Sequence, residues 1–207
     1  MFNSLTGSFT VYDSTSITPT TMPDVAIDEL KDWTITIGTT SYLITSNDET
    51  KIYFANALVA LGNYTIDFCA RADLVRIEDS FSSTVKFPDA LINGKIAITK
   101  LHFIQKVQAY FKNLYTLYSD LDDPMSLIIN LGQLKLTFIY YCIAECYSDV
   151  TLTKTDINIY NEEKYRAKYK DTFKDSMGML CVDSDEAGEL SNDDKGASAS
   201  KGVLLSR

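Results

Sequence analysis

Residues 125–147 read MSLIINLGQLKLTFIYYCIAECY, and this stretch decides the fold that the sequence predicts. Drawn as a helix, it carries apolar side chains on more than one face. They are Leu127, Ile128, Leu131, Leu134, Leu136, Phe138, Ile139, Ile143 and Ala144. A helix that is apolar around most of its circumference is normally buried. We therefore expect a helix from about Met125 to Tyr147 at the centre of the domain.

Two further helices are predicted on either side of this central one. From Ile98 to Tyr118 apolar residues recur every three or four positions, which is the spacing of an amphipathic helix. They are Leu101, Ile104, Val107, Phe111, Leu114 and Leu117 or Tyr118. The segment Asp120–Pro124 then predicts a turn, because Asp123 suits an N-cap and proline suits the first position of the next helix. Residues 157–179 keep a helical spacing but mix in many charges, which is typical of a solvated or partner-facing helix.

The N-terminal part gives weaker signals. The first thirty residues are rich in Ser and Thr and predict an extended arm. Alternation from Trp33 to Ile37, followed by Tyr42–Ile44 after a glycine, predicts a β-hairpin. The segment Ser46–Glu49 has the S-x-x-E form of a capping box, so a helix is expected to begin there.

These features together predict a mainly α fold, a helical bundle with a small N-terminal β element and extended N- and C-terminal arms. The expected organisation has three parts. Residues 1–45 form an extended arm and a short β-hairpin, and residues 46–180 form a helical bundle domain. Residues 181–207 form an acidic, flexible tail with an apolar C-terminal anchor.

Charge and cysteine content narrow the function classes. Nineteen Lys and Arg stand against 28 Asp and Glu, a formal charge of −9, which opposes binding to nucleic-acid phosphates or an anionic membrane. No run of residues approaches the ~18 apolar positions of a membrane span. The four cysteines lie in apolar surroundings and are expected to be buried, reduced thiols in a cytoplasm-like compartment.

Sequence signals for catalysis, metals and cofactors are missing. His102 is the only histidine, and it lies in the predicted helix between Leu101 and Phe103, so we assign it no catalytic role. Cys142 and Cys146 share a helix face, but no further cluster would complete a zinc site. No phosphate-binding glycine loop occurs, and the aspartates at 120–123 lack the pattern of a calcium loop. We expect no enzyme activity, no metal and no cofactor.

The C-terminal tail is the predicted protein-binding site. Residues 183–194 are rich in Asp and Glu, and residues 195–201 are small and polar, a composition that would be disordered alone. The chain then ends in an apolar triplet at Val203, Leu204 and Leu205, followed by Ser206 and Arg207. We expect Val203, Leu204, Leu205 and Arg207 to anchor the tail on a neighbouring subunit.

The C-terminal half also resembles a known family. An apolar helix ending in YYCIAECY at 140–147, a short break, a charged helix with YRAKYKDTF at 165–173, and a polar tail closed by GVLLSR at 202–207 are similar to the closing helices of head–tail connector proteins of tailed bacteriophages. The resemblance implies a virion structural protein, a homo-oligomeric neck ring that docks to the portal and to other neck or tail proteins. DNA would pass through it without tight binding, and the ring would be assembled in the host cytoplasm.

A rival resemblance covers residues 60–89. The segments Ala60–Asn63, Ala70–Arg71, Phe81–Ser82 and Phe87–Asp89 occur in the order seen in coat proteins of rod-shaped plant RNA viruses. It implies a helical coat with Arg71 as the one candidate RNA contact. The loop before Phe87 is shorter than in that family, and the turn between the central helices is acidic where those coats carry arginines. An unrelated intracellular helical binding module is the third alternative.

Overall fold

The computed structural model of the chain describes residues 4–23, 30–55, 62–111, 128, 131–150 and 156–180. Its internal contacts divide the chain into two units, Met1–Cys69 and Ala70–Arg207. The first unit is a β structure and the second is helical. The predicted turn at Asp120–Pro124 and the predicted C-terminal tail lie outside the described residues.

The described part of the first unit contains six strands that close into a barrel. They are β1 (Leu5–Tyr12), β2 (Ser16–Pro19), β3 (Thr34–Ile37), β4 (Thr40–Asn47), β5 (Ile52–Phe54) and β6 (Asn63–Asp67). Around the barrel the order is β1-β2-β5-β4-β3-β6, and β6 pairs back with β1. Every neighbouring pair is antiparallel. Closure leaves no unpaired edge along the strands, the feature that otherwise invites association.

The predicted hairpin at residues 33–44 is confirmed as β3 and β4. Gly38 adopts φ 60°, the positive value that a two-residue hairpin turn requires and that glycine accepts without strain. Alternate side chains point inward, and Ile35, Ile37, Tyr42 and Ile44 are almost fully buried. The period-two pattern therefore builds one side of the barrel core.

The barrel consists of two equivalent halves, β1–β3 and β4–β6. Exchanging β1 with β4, β2 with β5 and β3 with β6 reproduces the same set of neighbouring strands. The registers agree as well, because Tyr12 pairs with Ile17 and Asn47 pairs with Ile52, positions that each differ by 35. The register also shifts at matching places, between Phe9 and Val11 and between Ile44 and Ser46. The strand pairing of the two halves thus has an internal two-fold symmetry.

The first hairpin of each half has the same hydrogen bonds in its turn. In the first hairpin Thr15 N–H donates to Asp13 Oδ1 at 2.8 Å, and in the second Thr50 N–H donates to Asp48 Oδ1 at 2.7 Å. The aspartates also donate their backbone N–H across the turn, to Ser16 O and Lys51 O, at 3.0 Å in both cases. The repeated pattern is D-x-T-x-I, ending in Ile17 and Ile52, which face each other between β2 and β5.

The predicted fold class is therefore wrong. The described residues are 55% helical and 22% strand, and the strands form a closed barrel, not a small β element beside a bundle. The expected helix start at Ser46 is the clearest error, because Ser46 and Asn47 end β4. The carboxylate of Asp48, not a helix cap, uses the free amides there, and it binds Thr50 and Lys51 in a hairpin turn. Strand β4 therefore runs through the expected boundary at residue 45.

The helical unit has four described α-helices. They are α1 (Arg71–Ile77), α2 (Asp89–Tyr110), α3 (Lys135–Val150) and α4 (Asp156–Met179), with 3₁₀ turns at Asp79–Ser82 and Leu131–Leu134. The prediction of a charged helix at residues 157–179 is confirmed by α4. The amphipathic helix expected from Ile98 starts nine residues earlier, at Asp89, and its predicted end beyond residue 111 lies outside the described residues.

Helix α3 is the buried centre of this unit, as predicted, but its bounds differ from the prediction. It runs from Lys135 to Val150, and a 3₁₀ turn at Leu131–Leu134 precedes it where the sequence predicted a helix from about Met125. Cys142, Ile143, Ala144, Cys146 and Tyr147 have no exposed surface. Cys69, Cys142 and Cys146 are buried, as the sequence predicts, whereas Cys181 lies outside the described residues. Two small cysteines on one face of α3 let neighbouring helices approach closely.

Candidate protein-binding surface

Helix α2 carries a long exposed face without charge. Its most exposed apolar side chains are Ile98 and Leu101, at 51% and 63% of their full surface. Further exposed positions on the same face, at helical spacing, are Ala90, Gly94, Ala97, His102, Gln105 and Ala109. The opposite face holds Ile92, Thr99, Phe103 and Val107, which are buried in the unit. Both faces of α2 are therefore apolar, but only one is covered by the described residues.

Three charged side chains of α2 lie outside this exposed face and contact partners. They are Asp89, Lys95 and Lys106. Lys95 Nζ lies 2.7 Å from Asp149 Oδ1, and Asp89 Oδ1 lies 2.5 Å from Arg71 Nη1. Lys106 Nζ lies 4.6 Å from the ring centre of Tyr141 and 5.0 Å from that of Tyr169. Burial lowers the pKa of Lys106. These contacts hold the charges away from the exposed apolar strip.

The exposed face of α4 gives a useful contrast. Tyr160 is 62% exposed, but it shares its face with Glu163, Lys170 and Asp171, which are also exposed. Alternating charges of this kind mark a face that water solvates well. Among the described helices of eight residues or more, α2 is thus the one whose solvent-facing strip lacks charge.

Aromatic stacking fixes α2 against α3 and α4. The rings of Tyr141 and Tyr169 stack with centres 4.7 Å apart, and Phe103 contacts Phe138 and Phe173 edge-on at 5.3 and 6.0 Å. Burial, followed by the neighbouring Tyr141, raises the pKa of Tyr169 to about 12. These tyrosines therefore stay neutral and act as packing groups.

Ion pairs and hydrogen bonds also connect α1 to α3 and α4. Asp73 is almost fully buried, and its Oδ1 accepts from Arg76 at 2.8 Å and lies 3.1 Å from the buried Lys135 ammonium. Tyr165 donates its hydroxyl to Glu78 Oε2 at 2.7 Å, and burial together with this bond raises the pKa of Tyr165. These charged groups stabilise the fold, because each contacts a group of opposite charge or a hydrogen-bond donor.

The structure places His102, the only histidine of the sequence, at the surface. It lies on the exposed face of α2 between Leu101 and the buried Phe103. Within the described ranges, no group of three or more His, Cys, Asp and Glu side chains is placed to hold a metal ion. The chemistry that α2 offers at its surface is apolar contact.

The described part of the barrel unit contains an open cleft of about 560 Å³. It is lined mainly by hydroxyl-bearing side chains of Ser4, Thr6, Ser8, Thr20, Thr21 and Tyr64. Burial raises the pKa of Tyr64, so that its hydroxyl stays protonated. The lining has hydrogen-bonding groups but no acid, base or cation, which makes it a poor reaction site.

The residues predicted from sequence fall into three groups. Val203, Leu204, Leu205 and Arg207, the predicted anchor, lie outside the described residues. Arg71, the candidate RNA contact, donates to Asp89 and to the carbonyl of Phe81 at 2.6 Å and is mostly buried. Leu101, the first residue of the apolar stripe predicted for α2, is exposed, whereas Val107 and Phe111 of the same stripe are buried. The signal for the α2 face was a second apolar stripe at 94, 97, 98 and 101, interleaved with the core stripe.

None of the described helices is long and apolar enough to cross a bilayer. No protein-family model matches the chain, and neither a curated protein nor a solved structure matches it.

Proposed function

We propose that this chain is a structural protein that works by binding other protein subunits, and that it is an adaptor-ring subunit between the head and tail of a bacteriophage. In this proposal it has no catalytic activity and needs no cofactor. It forms a homo-oligomeric ring, docks to portal and tail proteins, and surrounds a passage for DNA in the virion.

One observation carries the protein-binding part of the proposal. The exposed strip of α2 runs for about five turns without a charged side chain, on a chain whose formal charge is −9. An exposed apolar surface of this length costs solubility unless a partner covers it. Buried rings around Phe103 and the ion pairs of Asp89 and Lys95 hold α2 in a fixed position. The exposed surface of the helix is therefore preorganised for docking.

The acidic balance supports the DNA-passage part. A ring multiplies the charge of its subunit, and negative charge around a channel opposes the condensation of DNA phosphates on the wall. Arginine is scarce, with four in 207 residues, and the described Arg71, Arg76 and Arg166 are each paired with a carboxylate. Strong phosphate contacts are therefore few in the described part of the chain.

The rival coat-protein function rests on Arg71. Because Arg71 is bound to Asp89 and to a backbone carbonyl, an RNA phosphate would have to displace both partners. That exchange would leave a carboxylate beside the RNA backbone. The ring subunit is thus favoured over the coat protein.

Negative-stain electron microscopy of the purified full-length chain tests the proposal. Closed rings of a fixed subunit number are expected. Open helical rods would support the coat protein instead. Particles no larger than a few subunits at every protein concentration would overturn the ring and leave a small binding module.

A further inference from the structure

The exposed face of α2 is close to self-complementary. The helix runs from Asp89 to Tyr110, so its midpoint lies between Thr99 and Lys100. The two large apolar residues of the face, Ile98 and Leu101, lie equally far on either side of this midpoint. Small residues lie further out, with Ala90 and Ala109 again equidistant from it.

This arrangement is the one that a two-fold contact needs. In an isologous interface a residue at one position contacts its counterpart position on the partner, and the reverse contact follows by symmetry. Two α2 helices crossing antiparallel at the midpoint would place Ile98 against Leu101 of the second copy, twice. The same symmetry would place Gly94 and Ala97 opposite Gln105 and His102 of the second copy, so each small residue would leave room for a longer polar side chain.

The charge pattern favours the same partner. Most surfaces of an acidic protein repel a second copy, because a two-fold axis brings like charges together. The α2 strip brings no carboxylate to such an axis, since Asp89 lies at the helix end and is bound to Arg71. The α4 face would bring Glu163 and Asp171 into the contact.

We infer that α2 is a two-fold docking surface for a second copy of this chain. This inference concerns a contact that the proposed ring does not need. A ring is closed by a heterologous contact between unlike faces, whereas the α2 contact is isologous. It would pair two free subunits, or two rings face to face.

The area of the exposed α2 face sets the expected affinity between two copies. A helix of 22 residues is ~33 Å long, and a strip ~10 Å wide gives about 330 Å² per copy. Stable protein pairs bury about 800 Å² per partner. The isolated contact is therefore expected to be weak, with dissociation at micromolar concentration or above, and to become firm only where many copies engage together.

The experiment measures the mass of the full-length protein by sedimentation over a range of concentrations. The Leu101→Asp variant is expected to halve the mass of the species that the wild type forms at high concentration. Tyr160→Asp is the matched control, because Tyr160 is as exposed as Leu101 but lies on α4. This control is expected to keep the wild-type mass, and both variants are expected to keep the wild-type thermal midpoint.

A cross-linking test determines which α2 residues of the two copies face each other. Ile98→Cys and Leu101→Cys are made as separate variants, and the two proteins are mixed and oxidised. The antiparallel contact predicts a 98-to-101 disulfide in the mixture that exceeds the cross-linking of either variant alone, since a disulfide needs Cα atoms within about 7 Å.

Three results would overturn the inference. They are an unchanged mass in Leu101→Asp, a lower thermal midpoint in Leu101→Asp without a change of mass, and cross-linking of each variant mainly to itself. The second result would mean that α2 is covered by residues of its own chain. Because rings are scored by microscopy and the pairing by halved mass, rings that persist without pairing would refute the inference and leave the ring proposal intact.

Discussion

At the scale of single residues, two aspartates control the hairpin turns of the barrel. Hydrogen bonds, first from the backbone N–H of Thr50 and then from the Tyr53 hydroxyl, lower the pKa of Asp48 from 3.8 to about 2. The pKa of Asp13 is also lowered, first by the Ser16 hydroxyl, which donates to Oδ2 at 2.7 Å. Both turns therefore favour the ionised carboxylate.

The first prediction follows from this shift. A carboxyl group whose pKa is lower in the folded state stabilises the fold above its unfolded value and loses that contribution as it is protonated. The thermal midpoint of the barrel should therefore fall as pH drops from 3.8 towards about 2. Asp48→Asn should flatten this part of the profile, measured by circular dichroism at a series of pH values.

The neighbouring glutamate provides the control for that prediction. Glu49 lies in the same turn and is exposed. Glu49→Gln should therefore keep the acid slope of the wild type. An Asp48→Asn profile as steep as that of Glu49→Gln would show that the carboxylate of Asp48 does not couple the turn to pH.

At the scale of elements, the segment leading into α3 contains two leucines with opposite surroundings. Leu131, in the 3₁₀ turn, is 4% exposed, whereas Leu136, in the first turn of α3, is 44% exposed. Leu131→Asp should lower the unfolding free energy by several kcal/mol, because it buries a charge without a partner. Leu136→Asp should change it little. Denaturant titration of both variants tests this, and equal midpoints would mean that the two leucines are equally accessible.

Local signals predicted some elements correctly. The β3–β4 hairpin, the buried α3 and the charged α4 each follow from a periodicity that one element imposes on its own residues. The apolar stripe predicted for α2 is correct in part, because Val107 and Phe111 are buried whereas Leu101 is exposed. Periodicity finds apolar stripes but does not say which of their positions the rest of the fold covers. The self-complementary surface was missed for the same reason.

The barrel was missed because its pairings are distant in sequence. Strand β1 pairs with β6, and Leu5 lies opposite Ile66. The Ser46–Glu49 signature can satisfy helix amides or turn amides equally well, and the long-range pairings decide which. The repeated D-x-T-x-I pattern at residues 13–17 and 48–52 was the available clue to two hairpins of one kind.

At the scale of the whole molecule, the net charge limits which partners the protein can bind. The third prediction is that the full-length chain does not bind duplex DNA with sub-micromolar affinity at physiological salt, because its formal charge of −9 opposes the phosphates. A filter-binding titration, repeated with single-stranded RNA, measures this. Tight binding of RNA with a steep dependence on salt would contradict the ring subunit and revive the coat protein.

The interleaved halves of the barrel have a consequence for how the protein is made. Strand β3 pairs with β4 and β6 alone, both in the second half, and β6 pairs with β1 and β3, both in the first. A nascent chain that has left the ribosome only as far as β3 therefore has a β1–β2 hairpin and a third strand with no partner. Such long-range pairing delays folding until the later strands are available. The first half must wait for residues 63–67 before it can close.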